Sequence, residues 1–254
     1  MSDASPGWAR RRLDPDARYG LRLTLFAIAT LLVALPFAYL VLQVTRDGPL
    51  TTIDRDVARS LHDQLSEQEV QIAVLKVITN LGSSPSLYLL VGIACIYLWR
   101  RGSRRTAVYV AVTSQVGGLI SAAVKLTVGR ARPGLGSVPE ALDKSFPSGH
   151  ALNSTVVYGA LLLAFMPLIP RRWRPWAVIG YVSLIGIIGA TRLGLVVHYV
   201  SDVLAGYVLG FAWLAVATAV FSVWRTERGK EPVRPIEGVA PEMAPSERAS
   251  GAGT

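Results

Sequence analysis

One cysteine, Cys95, is the whole thiol content of the 254-residue chain. That excludes an intrachain disulfide and any cysteine-based metal site, and because Cys95 falls inside an apolar run it reads as a small, inert, buried side chain. Histidine is nearly as scarce, at three residues. There is no internal repeat and no low-complexity tract ahead of the tail. A cleaved leader is not expected: the first apolar run, Leu21 to Leu42, is long for a signal peptide and no clear small-residue cleavage site follows it. Charge is sparse as well. Charged residues are 17% of the chain against 51% apolar, with a mean hydropathy of +0.40, a balance that points to an integral membrane protein.

The apolar residues gather in six runs: Leu21 to Leu42, Leu87 to Leu98 (extended back to Ser84, where Ser84-Pro85-Ser86 can start a helix), Ala107 to Val124, Ala151 to Leu168, Trp176 to Ala190 and Val203 to Val223. The expected fold is therefore all-α, a six-transmembrane-helix bundle. The net charge of +9 could suggest nucleic acid, but the placement of the cations fits membrane topology better, and no nucleic-acid partner is expected. Arg10, Arg11, Arg12, Arg18 and Arg22 precede span one, and Arg100, Arg101, Arg104 and Arg105 follow span two. Arg171, Arg172 and Arg174 lie between spans four and five, while Arg225, Arg228, Lys230, Arg234 and Arg248 follow span six. These are 17 of the 26 Lys and Arg, all on one side of a six-span chain. By the positive-inside rule that side, with both termini, is cytoplasmic.

Three units follow along the chain. Residues 1–20 form a basic, mobile cytoplasmic lead-in, 21–225 the six-span membrane domain, and 226–254 a disordered cytoplasmic tail rich in Pro, Glu, Arg, Ser and Gly. On the outer side, residues 44–70 contain a possible helix start at Thr51-Thr52-Ile53-Asp54 and suit a short surface-lying helix. Residues 70–81 either extend span two or lie at the interface, and residues 134–146 suit a flexible cover.

Three polar islands interrupt the apolar second half, all at the outer ends of spans, where ionisable groups are costly and usually functional. Lys125 and Arg132 are seven residues apart, on one face if the third helix persists that far; Gly129 and Pro133 end or bend it nearby. In Pro147-Ser148-Gly149-His150, Ser148 occupies an N-cap position. The amides of Ser148 and Gly149 can face an anion at the positive end of the helix dipole. Arg192 and His198 bracket the loop into span six. Asp202 follows His198 by four residues, a spacing that on a helix puts the carboxylate within reach of one ring nitrogen and raises the basicity of the other. The remaining histidine, His62, sits in a charged stretch and reads as a surface residue. Together the islands hold three cations, two imidazoles and one carboxylate, the equipment for binding a phosphate and attacking its phosphorus.

The pattern Lys125-(six residues)-Arg132-Pro133, Pro147-Ser148-Gly149-His150 and Arg192-(five residues)-His198-(three residues)-Asp202 resembles the signature of the type 2 phosphatidic acid phosphatase and vanadium haloperoxidase superfamily, in its membrane-bound lipid phosphatase branch. One departure is Thr191, where that family usually has Ser; the hydroxyl is retained. The resemblance implies a metal-independent phosphatase with no cofactor. His198 would be the nucleophile forming a phosphohistidine, Asp202 would orient and charge it, and His150 would be the general acid. Lys125, Arg132, Ser148, Gly149 and Arg192 would hold the phosphate oxygens. The expected substrate is a lipid phosphate or diphosphate monoester, such as a polyprenyl diphosphate, phosphatidate or phosphatidylglycerophosphate, met among membrane lipids at the outer face of a bacterial plasma membrane. Two alternatives stand beside hydrolysis: phosphoryl transfer to another lipid through the same intermediate, and non-hydrolytic lipid-phosphate binding or transport. The sequence leaves the oligomeric state open.

Overall fold

The computed structural model describes residues 20–134, 144–230, 233–234 and 236–243, with side chains from residue 31 onward. The expected basic lead-in up to residue 19, residues 135–143 of the expected cover loop and residues 244–254 of the tail lie outside the described residues. Among the described residues there are eight α-helices and no strand. They are α1 (Gly20–Thr45), α2 (Pro49–Leu65), α3 (Glu69–Thr79), α4 (Ser84–Arg100), α5 (Arg104–Val128), α6 (Gly149–Phe165), α7 (Arg174–Gly194) and α8 (Val200–Thr226).

The helices follow from apolar composition cut by local stop signals. Pro85 in the first turn of α4 occupies a position where its missing N–H is no loss, and α4 begins at Ser84, as the sequence indicates. Gly129 closes α5 in the left-handed region (φ 66) with its N–H on the Lys125 carbonyl. Arg132 therefore lies in the extended segment beyond the helix and not one face down from Lys125. The stretch expected on the outer side forms the amphipathic α2, bent by 74° from residues 31–45 of α1; residues 69–82 are bent by 41° from α4. Four helical segments are each long and apolar enough to cross a membrane: Arg104–Val128, Gly149–Leu168, Arg171–Gly194 and Val200–Thr226. The count reaches up to six if each bent pair is one span.

The segment containing α6, Gly149–Leu168, is the most enclosed of the four, 61% buried against 28% to 39% in the others, which makes α6 the axis of the bundle. Its close approach to α8 rests on missing side chains. A Cβ at Gly206 would stand 2.8 Å from the Ser148 carbonyl oxygen and 2.9 Å from Ala151 Cβ, and one at Gly210 would stand 2.9 Å from Thr155 Cβ. Small residues four apart let two membrane helices pack backbone to backbone. Here they draw the first turn of α8 against the first turn of α6, so that Ser148 N donates to the Asp202 carbonyl at 2.9 Å. At the opposite end, Leu98, Val110, Tyr109, Ala160 and Phe221 pack together, and the Tyr109 and Thr218 hydroxyls share a 2.9 Å hydrogen bond within that apolar layer.

The tail departs from the expected disorder at its described residues, 233–234 and 236–243. Val239 N donates to the Leu163 carbonyl at 2.9 Å, and Arg174 Nη1 donates to the Ile236 carbonyl at 2.8 Å. Val239 and Ala240 are buried. Glu242 accepts both Nη1 and Nη2 of Arg225 at 3.0 Å and Nζ of Lys230 at 2.8 Å. The composition is polar, but a few apolar side chains suffice because the end of the bundle supplies the other half of their burial. Partial burial opposes ionisation of Glu242, yet the hydrogen bonds from Arg225 and Lys230 outweigh it and hold the carboxyl at about 2.

Candidate active site

All three islands meet at one end of the bundle, around a cavity of about 650 Å³. Lys125, Arg132, Gly149, His150 and His198 line it, while Ser148, Arg192 and Asp202 are buried. Helix termini place most of them: Lys125 by the last turn of α5, Ser148 to His150 by the start of α6, Arg192 by the end of α7, and Asp202 by the start of α8, while Arg132 lies in the segment after α5 and His198 in the loop before α8.

The segment carrying Arg132 is pinned to the one carrying Ser148. Ser145 N donates to the Arg130 carbonyl at 2.8 Å, and Ser145 Oγ donates to the Ala131 carbonyl at 3.0 Å. Phe146, fully buried, packs on Phe37 with ring centroids 6.1 Å apart. Arg132 Nη1 donates to the Val197 carbonyl at 3.0 Å, which ties it to the loop bearing His198. That loop contains Val196 at φ 52, a left-handed conformation costly for a β-branched residue and characteristic of constrained functional loops.

Ser148 stands at the N-cap of α6, yet its hydroxyl makes no capping bond. Its Oγ is buried and has no hydrogen-bond partner among the described residues. A buried hydroxyl without a partner is costly, and one beside a cavity rich in cations is placed to meet an anion's oxygen. Gly149 leaves open the space between this turn and α5: a Cβ there would meet only Ser121 Oγ at 3.6 Å and Lys125 Cε at 4.0 Å. Gly82 is different. A Cβ at that position would lie 2.6 Å from Ile188 Cγ2 and 3.2 Å from His150 Cδ2, so the imidazole of His150 keeps its place only against a glycine.

Arg192 is buried, and its Nη1 donates to Thr79 Oγ1 of α3 at 3.0 Å. The neighbouring Thr191 hydroxyl donates back to the Ile188 carbonyl at 2.6 Å, so it serves the helix.

His198 precedes α8, so its contact with Asp202 is made across a helix start and not along a helical face. Nδ1 of His198 is 3.5 Å from Asp202 Oδ2, longer than a good hydrogen bond but close enough for direct charge interaction. The same Oδ2 accepts the Tyr199 N–H at 2.9 Å. Burial pushes the His198 pKa down; Asp202 opposes this, and Arg132 and Arg192 add to it. The imidazole is thus held neutral, the form in which a ring nitrogen keeps its lone pair.

The structure adds residues that the sequence did not mark. Lys144 also lines the cavity. Asp202 Oδ1 accepts Arg130 Nη1 at 2.7 Å, and Arg130 Nη2 donates to Asp54 Oδ2 of α2 at 2.8 Å. Arg130 lies within the first island and is one more cation on the side expected to be poor in positive charge, which was its available signal; Asp54 shows in the sequence only as part of a helix start. Among the described residues, no three of His, Cys, Asp and Glu are grouped so as to hold a metal ion.

A family model described as the PAP2 superfamily matches residues 106–226, a segment that contains all eight candidate residues. The chain is 32% identical over 95 residues to phosphatidylglycerophosphatase B of Bacillus subtilis (strain 168), covering 36% of this chain and 46% of that protein. It is 36% identical over 122 residues to a lipid A 1-phosphatase of Rhizobium etli, covering 44% of this chain and 48% of that protein. The chain thus spans about half the length of the curated relatives it matches. Its fold is shared with the crystal structure of a transmembrane PAP2 type phosphatidylglycerolphosphate phosphatase from Bacillus subtilis. The TM-score is 0.68 at 23% identity, over 74% of this chain and 93% of the other.

Proposed function

We propose that the protein, whose residues 106–226 match the model of the PAP2 superfamily, is a metal-independent phosphatase of lipid phosphates, acting through a phosphohistidine at the outer face of a bacterial membrane. The observation that carries this reading is the pairing of a buried, neutral His198 on the cavity wall with a buried Asp202 3.5 Å from its Nδ1. Cations alone would serve binding or transport; a charged carboxylate behind an imidazole serves attack.

In this mechanism Lys125, Arg132, Arg192, the Ser148 hydroxyl and the amides at the start of α6 hold the non-bridging oxygens. His198 attacks through the nitrogen remote from Asp202: a nitrogen–phosphorus bond forms as the phosphorus–oxygen bond to the lipid breaks, and His150 protonates the departing oxygen. Water then attacks the phosphohistidine, giving its proton to His150 and releasing phosphate and neutral His198. The cations stabilise the charge that grows on the equatorial oxygens, the task a divalent ion performs in other phosphoryl-transfer sites.

A lipid is favoured by the mixed lining of the cavity. Besides the charged groups it includes Gly118, Ala122 and Leu126 of α5, and a narrow recess shares Ser84, Gly118 and Asn153 with it and continues along Leu87, Val91 and Val157. The charged lining suits a headgroup, and the small and apolar lining suits a chain. The outer-face assignment rests on the distribution of Lys and Arg.

Detergent-purified protein should release phosphate from phosphatidate, phosphatidylglycerophosphate or a polyprenyl diphosphate with EDTA present, and His198→Ala should not. Failure on all three lipids, or equal release by His198→Ala, would sink the proposal. Activity abolished by EDTA and restored by magnesium would contradict the metal-independent scheme.

A further inference from the structure

Behind the nucleophile lies a second charged layer. Arg130 Nη1 donates to Asp202 Oδ1 and to Ser201 Oγ, both at 2.7 Å, and its Nη2 donates to Asp54 Oδ2 at 2.8 Å. Asp54 in turn accepts the Ser201 N–H on Oδ1 at 3.0 Å and the Ser201 hydroxyl on Oδ2. The guanidinium carbon lies 4.1 Å from the centroid of the Tyr199 ring, within cation–π range. Both carboxylates are fully buried at their side chains. Asp54 belongs to α2, outside the segment matched by the family model.

We propose that Asp54 and Arg130 are positioning residues that set the geometry and the net charge of Asp202 toward His198, making the amphipathic helix α2 part of the catalytic apparatus. The inference rests on the phosphatase reading above.

Charge counting gives the two residues separate tasks. Asp202 paired with Arg130 alone would present no net charge to His198, and the imidazolium-like nitrogen formed in attack would face a neutralised carboxylate. Asp54 supplies the guanidinium with a counter-ion of its own, so the three groups carry a net charge of about −1. Arg130 fixes Asp202 Oδ1, leaving Oδ2 for His198. A buried ion pair is weak evidence of a contribution to stability, whereas a carboxylate locked in place behind a reacting imidazole has a chemical use. The groups facing His198 are Asp202 from α8, Arg132 from the segment after α5, Arg192 from α7 and His150 from α6, with Lys125 on the same cavity wall.

The test measures kcat, KM and pH profiles of the full-length protein on dioleoyl phosphatidate in detergent micelles, with Asp202→Asn and His198→Ala as controls. Asp54→Asn keeps the shape of the side chain and removes its charge. Asp54→Asn and Arg130→Gln should each lower kcat about ten- to a hundredfold, with KM changed less than about threefold. They should move the acid limb in opposite directions. Asp54→Asn leaves His198 facing less negative charge and shifts the limb to lower pH; Arg130→Gln leaves more and shifts it to higher pH. Arg130→Lys should recover part of the loss. Loss of thermal stability with kcat and the acid limb unchanged, or loss of kcat with both limbs unmoved, would overturn the proposal.

A readout independent of turnover is the tautomer of His198, read by 15N NMR of histidine-labelled protein. The chain has three histidines, and His198→Ala assigns the signal. The proton should sit on Nδ1 in the wild type and distribute over both nitrogens in Arg130→Gln; an unchanged tautomer would overturn the inference. If Asp202→Asn and His198→Ala both turn over normally, the phosphatase reading itself fails. If those controls lose activity and the Asp54 and Arg130 variants do not, only the present inference fails.

Discussion

Ser148 separates the two uses a helix-start hydroxyl can have. A capping serine replaced by alanine typically costs about 1 kcal/mol, but the Ser148 hydroxyl makes no capping bond and is buried without a partner among the described residues. Ser148→Ala should therefore change the unfolding temperature little while lowering kcat/KM about tenfold, measurable by thermal unfolding alongside steady-state kinetics. A loss of stability with unchanged kinetics would return Ser148 to a capping role. At His198 the sign of the pH effect follows from burial, which outweighs the opposing pull of Asp202 and keeps the ring neutral. The acid limb of kcat/KM in the wild type should have its midpoint below the ordinary histidine value of about 6.5, and a midpoint above that value would contradict the neutral-nucleophile account. The motif residues were legible in the sequence because their chemistry is unusual beside apolar helices. Thr79, which holds Arg192, and Gly82, which makes room for His150, carry no such mark. Their importance lies in what stands next to them in space.

Among the elements, α6 and α8 do most to bring the islands together, through Gly206 and Gly210. Gly206→Ala would push a methyl group against the Ser148 carbonyl, 2.8 Å from where its Cβ must lie, and that position is backbone. The variant should lower the unfolding temperature and cut kcat together, because the same shift displaces Ser148, Gly149 and Asp202; Gly186→Ala on α7, with nothing within 4 Å, is the control expected to leave both unchanged. Helix positions were legible from apolar runs, including the start of α4 at Ser84. The end of α5 was legible at Gly129 as a stop signal, but the seven-residue spacing of Lys125 and Arg132 suggested a shared helical face that the left-handed glycine rules out. Tail packing was not legible, because composition averages over a segment and its anchors are single residues. Glu242 is held at about 2 against an ordinary 4.5, so its contribution to docking is fully present above about pH 4.5 and is lost as pH falls through about 2. The hydrogen-exchange protection factor of the Val239 amide should fall across that window in the wild type and be lower at neutral pH in Glu242→Gln.

At the scale of the whole molecule, the proposed catalytic groups sit where four helix termini converge at one end of an apolar bundle, and the second charged layer reaches outside the segment matched by the family model to α2 through Asp54. The small and apolar lining beside the charged groups gives the proposed substrate its lipid character, and the placement of cations along the chain gives the proposed face. The central claim is that His198 attacks phosphorus. Its most direct test is to quench the enzyme within milliseconds of mixing it with phosphatidate labelled with 32P in the phosphate group, then map the protein-bound label. The account predicts an acid-labile, base-stable label on His198 that is absent from His198→Ala and builds up more slowly in Asp202→Asn. Label on another residue, or turnover of the lipid with no trapped phosphohistidine and no dependence on His198, would contradict it.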